Sequence, residues 1–360
     1  MSWINSTLGE VCDIINGKNQ KMVLSENGNY PIYGSGGNVM GYANDYLCEK
    51  DTVIIGRKGN ISKPILISER FWNVDTAFGI YPKTKKMLPK FNYYQCLKID
   101  FASYNKGTTI PSLVKSDLLT IPVKYPESIV EQETIVVKLD QAFVAIDQAK
   151  ANIEKNIANA KELFQSKLNQ IFSQNGDGWV EKTLEKTFKL KSGDGLTSKM
   201  MIQDGEYPVY GGNNIAGYYD KFNFEHGVIV GRVGALCGNA RFINEKVWIT
   251  DNAFKLTEFK YEFDFKFLSY LLNFKNLRSY ARQAAQPVIS NSSLKDVILN
   301  FPNSIETQQQ IVNQLDQLQE QTNLLVTKYK QKLANLEELK KSILEKAFKG
   351  ELGTKEIEKV

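Results

Sequence analysis

Tyr30-Pro31-Ile32-Tyr33-Gly34 comes back later in the same chain as Tyr207-Pro208-Val209-Tyr210-Gly211. The correspondence spreads outward from that phrase. Gly41-Tyr42 returns as Gly217-Tyr218, and Ile55-Gly56-Arg57 as Val230-Gly231-Arg232. Trp72 through Phe78 (WNVDTAF) returns as Trp248 through Phe254 (WITDNAF), Trp3 as Trp179, and Pro126 as Pro302. The offset is 176 residues and wavers by one only in the Tyr/Gly-rich part, where loops absorb insertions. A chain built this way is a duplicated module with two similar, separately variable surfaces, as in a two-fold dimer whose halves are free to differ. Such a molecule suits a target with two unlike parts.

Composition sets the frame. The 360 residues are enough for two to three domains, each with its own core. Hydrophobic residues at 42% and charged residues at 24% are ordinary for a globular protein. No apolar run approaches the roughly 18 residues of a membrane span. The opening MSWINSTLGE has no basic region followed by an apolar core, so no signal peptide is expected and the cytoplasm is the expected location. Cys12, Cys48, Cys96 and Cys237 form no CxxC pair and read as free thiols rather than a zinc site. The net charge of +5 is unevenly spread. Residues 1–126 carry 15 Lys/Arg against 10 Asp/Glu and residues 177–302 carry 16 against 14, whereas residues 127–176 carry 5 against 7 and residues 303–360 carry 9 against 9. The positive excess therefore sits in the two segments that repeat the Tyr/Gly motifs, which suits a polyanionic partner, although the excess is small.

Residues 1–126 read as mixed β structure, with short apolar stretches such as Thr52–Ile55 and Pro64–Ile67 broken by Gly/Asn/Asp turns. A helix is predicted over Phe91–Phe101, with its counterpart over Phe265–Phe274. Each leads to a loop containing a proline, Pro111 or Pro287, and then to a strand ending at Pro126 or Pro302. The pattern then changes. Ser128 to Phe172 contains no Gly or Pro, and apolar or small residues fall at Val136, Leu139, Phe143, Ile146, Ile153, Ile157, Ala160 and Phe164. Steps of three and four make this a heptad seam. At about 1.5 Å per residue the helix is roughly 60 Å long. It is expected to stop at Asn175-Gly176-Asp177-Gly178. A second copy runs from Ser304 to Phe348 with Val312, Leu315, Val326, Tyr329, Leu333, Leu336 and Ile343 on the seam, and stops at Gly350. Two narrow seams of equal length call for each other, and the duplication makes the pair antiparallel. The alternative is that each helix packs on its own module. The expected organisation is an α+β chain: module 1–126, helix 127–176, module 177–302, helix 303–350 and a tail 351–360.

The chemistry of catalysis is missing. The single histidine, His226, sits beside a turn glycine and reads as a surface loop residue. No GxxxxGK[ST] phosphate loop exists, and Gly34-Ser35-Gly36-Gly37 lacks the strand–turn–helix context of a dinucleotide site. There is no Asn/Asp-Pro-Pro-aromatic tetrapeptide of the adenine methyltransferase kind. Asp75 and Asp251 read as caps or turn residues.

The order of these motifs, with Glu131-Gln132 and Thr307-Gln308 opening the two helices, resembles the specificity subunit of Type I restriction–modification systems over essentially the whole chain. The resemblance implies two target-recognition domains, each reading half of a split, asymmetric site on double-stranded DNA, spaced by an antiparallel coiled coil. It implies no catalysis in this chain. Two S-adenosylmethionine-dependent adenine methyltransferase subunits would dock on it, joined in the full complex by two ATP-driven restriction subunits. S-adenosylmethionine, ATP and magnesium would belong to those partners, and no membrane is involved. A specificity subunit of a Type IIB-like enzyme shares this architecture, and a two-module interaction scaffold on a coiled-coil spacer is the alternative outside nucleic-acid binding.

Candidate DNA contacts are Arg57 and Lys58 in IGRKG and Arg232 in VGRVG, long cations flanked by glycine that can pair with guanine or grip phosphate, or simply decorate a hairpin. Lys106, Thr108, Arg282, Gln283 and Gln286 precede or flank the loop prolines. Ser35, Asn38, Asn213 and Asn214 lie in the Gly-rich loops, where they also suit tight turns. Tyr33 and Tyr210 are expected to pack in or just below the surface. Leu139, Phe143, Ile157, Phe164, Leu315, Val326, Leu333 and Leu336 are assigned to the helix–helix seam.

Overall fold

A computed structural model describes residues 2–83, 85–174, 176–212, 214–282 and 286–352. The first half-repeat contains β1 (Trp3–Thr7), α1 (Leu8–Val11), β2 (Cys12–Asn16), β3 (Tyr30–Tyr33), β4 (Val39–Ala43), β5 (Thr52–Gly56), β6 (Ile65–Ile67), β7 (Trp72–Asn73), β8 (Ala77–Pro82), α2 (Pro89–Lys98), α3 (Lys115–Thr120) and β9 (Pro122–Pro126), followed by the long helix α4 (Ile129–Phe172). The second contains β10 (Trp179–Thr183), β11 (Lys189–Ser192), β12 (Tyr207–Tyr210), β13 (Ile215–Tyr219), β14 (Phe224–Gly231), β15 (Ala240–Ile249), β16 (Ala253–Thr257), α5 (Phe265–Phe274), α6 (Asn291–Leu294) and β17 (Ile298–Pro302), followed by α7 (Ile305–Lys349). The fold is α+β. The predicted long helices are present, and α7 stops at Gly350, whose φ of +76° is a conformation in which glycine carries no Cβ penalty.

The repeat survives in the pairing. β1 pairs with β9 from Trp3↔Pro126, and β10 with β17 from Trp179↔Pro302, so the outermost matched residues close each half. In the second half one six-stranded sheet runs β11-β16-β14-β15-β12-β13. In the first half the same path is split into β2-β8-β5-β6 and β4-β3-β7. The break falls where β15 has no continuous counterpart. β15 runs antiparallel to β14 as far as Val247 and then parallel to β12 through Trp248 and Ile249. Its equivalent in the first half is interrupted between β6 and β7, where only an isolated bridge, Cys48↔Phe71, continues the pairing ahead of β5.

β5 and the second part of β14, Val228 to Gly231, are buried on both faces, as strands covered on both sides must be. Val53 and Ile55 enter one cluster with α2, α3 and β9, while Ile54 enters another with Ile32, Phe71 and Trp72. Val228 and Val230 do the same against Ile229 in the second half.

The chain forms two compact units, residues 1–154 with 330–360 and residues 155–329. Each holds one half-repeat's β structure, the start of its own long helix and the end of the other long helix. In the first unit Leu344, Ala347 and Phe348 complete the core, with Phe348 5.0 Å from the Phe91 ring. In the second, Leu168, Ile171 and Phe172 do so, with Phe172 5.6 Å from Phe267 and 5.1 Å from Phe274. Phe172 and Phe348, like Phe91 and Phe267, are repeat-equivalent. Leu139 and Phe143 are buried in the first core and Leu315 in the second, and the Phe143 ring centre also lies 4.5 Å from the Lys340 ammonium of the other long helix. Ile157, Phe164, Val326, Leu333 and Leu336 are only half-buried. A heptad pattern shows a stripe wanting cover and does not name what covers it.

Candidate nucleic-acid interface

Two layers of structure build the site in each half: a polar frame that fixes the module on its helix, and a group of loops at the strand ends. The frame is duplicated residue for residue. Gln132, fully buried, accepts from the Leu88 backbone N–H at 2.9 Å and donates to the Lys86 and Pro126 carbonyls, both at 2.9 Å. Gln308, also fully buried, accepts from Asp264 N–H at 2.9 Å and donates to Glu262 and Pro302 at 3.2 and 2.9 Å. Further along each helix an aspartate is held by a lysine and a tyrosine. Lys90 lies 2.7 Å from Asp140, to which the Tyr94 hydroxyl also donates. Lys266 lies 2.6 Å from Asp316, which accepts from Tyr270 at 2.8 Å. Burial, reinforced by the carboxylate it bonds, raises both phenols above the ordinary tyrosine range. Nothing in the motif reading pointed to these clamps. The signal was present all the same: Lys90/Lys266, Tyr94/Tyr270 and Asp140/Asp316 all keep the offset of 176.

The loops meet through backbone hydrogen bonds. In the first half Arg57 and Lys58 N–H donate to the Thr76 carbonyl at 2.8 and 3.2 Å, Gly59 to Pro111 at 2.9 Å, and Leu113 to Arg57 at 2.9 Å. In the second, Arg232 donates to Asn252 at 2.9 Å, Gly234 to Pro287 at 3.1 Å, and Ile289 to Arg232 at 3.0 Å. The arginine loop, the turn of the WNVDTAF or WITDNAF motif and the proline loop are thus brought together twice. The Gly-rich loop joins them in the second half. A Cβ on Gly212 would stand 2.1 Å from the Val233 carbonyl, so the two loops touch only because that position is glycine. Gly211, Gly212, Asn214, Ile215, Ala216, Val233, Gly234, Asn252 and Gln286 line a cleft of about 410 Å³ there.

The expected contact residues are not all free. Arg57 and Lys58 are exposed, and the Arg57 guanidinium lies 5.7 Å from the Phe78 ring centre. Arg232 keeps the same stacking, 5.3 Å from Phe254, but is half-buried and donates to Ser192 Oγ at 3.3 Å and the Asp251 carbonyl at 3.5 Å. The Lys106 ammonium is 3.3 Å from Asp117, and the Lys106 backbone N–H donates to the Ser112 carbonyl at 2.9 Å, closing the proline loop. Thr108 is exposed. Arg282 is exposed, with its backbone donating to Val288 at 3.0 Å. Asn38, Asn214 and Gln286 are exposed and Ser35 is half-buried; Asn38 and Asn214 also accept turn hydrogen bonds from Gly34 and Gly211 through their carbonyls. Asn213 and Gln283 lie outside the described residues. Asp75 and Asp251 sit on turns, as expected. His226 is exposed, but on β14 rather than a loop, with Nδ1 2.8 Å from Asn244 Oδ1. Tyr33 and Tyr210 are half-buried, and the Tyr33 hydroxyl donates to Glu69 at 2.9 Å. The four cysteines are buried free thiols, and burial pushes Cys12 and Cys48 up to about 12. Among the described residues no group of three His, Cys, Asp or Glu side chains is gathered as a metal site, and no helix is long and apolar enough to cross a membrane.

Two repeat-related β modules, each presenting loops with cations and amides and each framed on a long helix, define the class of duplicated-module proteins to which this chain belongs. The model of the Type I restriction modification DNA specificity domain matches the chain twice, at residues 2–159 and 176–335, and the chain belongs to that family, the DNA-recognition and non-catalytic component of restriction–modification complexes. It is 28% identical over 296 residues to the EcoprrI specificity subunit of Escherichia coli, an alignment covering 75% of this chain and 70% of that one. The fold matches a solved chain from work on assembly and conformational transition of the type I R-M system, with a TM-score of 0.80 at 18% identity, over 97% of this chain and 98% of that one. It also matches the HsdS subunit of Thermoanaerobacter tengcongensis, with a TM-score of 0.60 at 19% identity, over 97% of each chain.

Proposed function

We propose that this specificity subunit reads a split, asymmetric DNA sequence, one part with each half-repeat, and directs adenine methyltransferase and restriction subunits to it. The observation that carries the reading is the pairing of a shared polar frame, with a fully buried glutamine in each half, with dissimilar exposed loops. The frame residues Gln132/Gln308 and Asp140/Asp316 hold each module to its helix in the same way. The residues the loops expose differ, so the two DNA segments should differ. Residues 1–126 and 177–302 are the two target-recognition domains in this reading, and 127–176 and 303–350 the spacer helices.

The two helices act as an antiparallel coiled-coil spacer that sets the number of unread base pairs. Contacts inside the first unit support this pairing. Lys340 is 2.9 Å from Asp147 and lies 4.5 Å from the Phe143 ring centre, and Lys150 pairs with Glu337. Residue numbers rise on one helix as they fall on the other, as antiparallel strands of a coiled coil require. S-adenosylmethionine, ATP and magnesium belong to the partner subunits in this reading, with two methyltransferase and two restriction subunits in the full complex.

The test is to co-express the chain with its cognate methyltransferase subunit in a methylation-free host and map N6-methyladenine at single-base resolution. A motif of two defined segments around a fixed gap, present only with this chain, is the expected result. No methylation with an active methyltransferase would remove the assignment and favour a scaffold role.

A further inference from the structure

Three side chains in the second half share one chemistry. Asn214 from the Gly-rich loop, Asn252 from the motif turn and Gln286 from the proline loop all open on the 410 Å³ cleft, and all three are exposed. Their loops are pinned through the backbone: Asn252 O accepts from Arg232 N–H at 2.9 Å, Asn252 N–H donates to Thr250 Oγ1 at 3.3 Å, and Pro287 O accepts from Gly234 at 3.1 Å. Among the described residues the three amide groups themselves form no hydrogen bond. Each therefore presents a donor and an acceptor outward from a fixed support. That pair matches N7 and N6–H₂ on the major-groove edge of adenine and mismatches guanine, whose O6 and N7 both accept. One cation that could serve guanine, Arg232, is turned inward onto Ser192 and Asp251, while Arg282 is exposed on the proline loop but does not line the cleft.

The repeat-equivalent positions in the first half are Asn38, Thr76 and Ile110. They carry one amide, one hydroxyl and an isoleucine that is 59% exposed, beside an exposed Arg57. That set offers a cation for guanine and an apolar contact for a thymine methyl.

We propose that Asn252, together with Asn214 and Gln286, reads adenine in the major groove, so that the DNA segment bound by the second half-repeat contains A·T pairs selected by these amides. The inference rests on the specificity-subunit reading above and adds base identity and a specificity residue, Asn252. Methylome mapping of the wild type, Asn252→Ala, Gln286→Ala, Asn252→Asp and Thr76→Ala tests it. In the alanine variants of the second half, one A·T position in one segment should lose about ten- to a hundredfold of its discrimination, while the gap and the other segment stay as they were. Asn252→Asp keeps the side chain's size but offers only acceptors, and should turn the same position toward cytosine. Thr76→Ala should alter the opposite segment only. If both second-half alanine variants leave the motif intact, or relax a G·C position, the inference is wrong although the specificity reading stands. If the wild type directs no split motif, the specificity reading fails and the inference falls with it.

Discussion

The first and second half-repeats agree where they grip their long helices and diverge where they face outward. At the helix the match is atomic: the same glutamine spans one amide N–H and two carbonyls, and the same lysine and tyrosine hold the same aspartate. Among the loops the arginines stack on equivalent phenylalanines, yet Arg57 is exposed and Arg232 is tied down. A fully buried polar group that loses a partner costs the whole desolvation penalty, so frame residues are hard to exchange one at a time. An exposed loop residue carries no such cost. Duplication followed by drift leaves this pattern when a molecule must keep its geometry and vary what it reads.

The largest test of this comparison concerns the exchanged helix ends. Phe348 fills the first core and Phe172 the second. Phe348→Ala should destabilise residues 1–154, and Phe172→Ala residues 177–302, each by about 3–5 kcal/mol. Hydrogen exchange resolved along the chain would show which half loosens, and the expectation breaks if both variants loosen the same half. The frame comes next. Gln132→Ala and Gln308→Ala each strand one N–H and two carbonyls, at a cost of about 2–4 kcal/mol by chemical denaturation. Equal losses would support a shared frame, and a loss in only one half would mean that the other tolerates rearrangement.

A smaller effect separates the arginines. Arg57→Ala should leave stability unchanged, weaken DNA binding and lower the salt slope of log K by about 1. Arg232→Ala should instead cost stability, about 1 kcal/mol, through its lost hydrogen bonds and packing on Phe254. Salt-dependent affinity measured beside thermal melts distinguishes the two, and identical behaviour would erase the contrast drawn here.

How much of this was legible in the sequence follows from the range of the forces involved. The long helices were readable because a run without Gly or Pro and its periodicity are local properties. The closing pairs Trp3↔Pro126 and Trp179↔Pro302 join residues already marked by the repeat. The break between β6 and β7 was not readable, since the only pairing left there, Cys48↔Phe71, joins residues 23 apart in sequence. The seam pattern marked residues that want cover, while the clusters that Leu139, Phe143 and Leu315 enter, which include β-module residues, are assigned only in three dimensions. Arg57 and Arg232 looked alike because the partner that distinguishes them, Ser192, lies 40 residues away from Arg232 in sequence. Asn252 was not singled out in the sequence, because only the fold sets Asn214 and Gln286 beside it on one cleft.

The finest distinction between the halves lies in Tyr94 and Tyr270. Both phenols donate to a carboxylate and both titrate above the ordinary value near 10, chiefly through burial. The folded form thus favours the neutral phenol. Its contribution to stability is fully present below about pH 10 and declines as pH rises toward the folded value. Tyr94 is 3% exposed, whereas Tyr270 is only half-buried, so of this pair Tyr270 should ionise at the lower pH, which NMR of the individual tyrosine rings would follow among the other phenols. Tyr94→Phe and Tyr270→Phe assign the two signals, and each should flatten the fall in stability above pH 10. Ionisation of Tyr94 at the lower pH would instead mean that the clamp on the first half is the looser one.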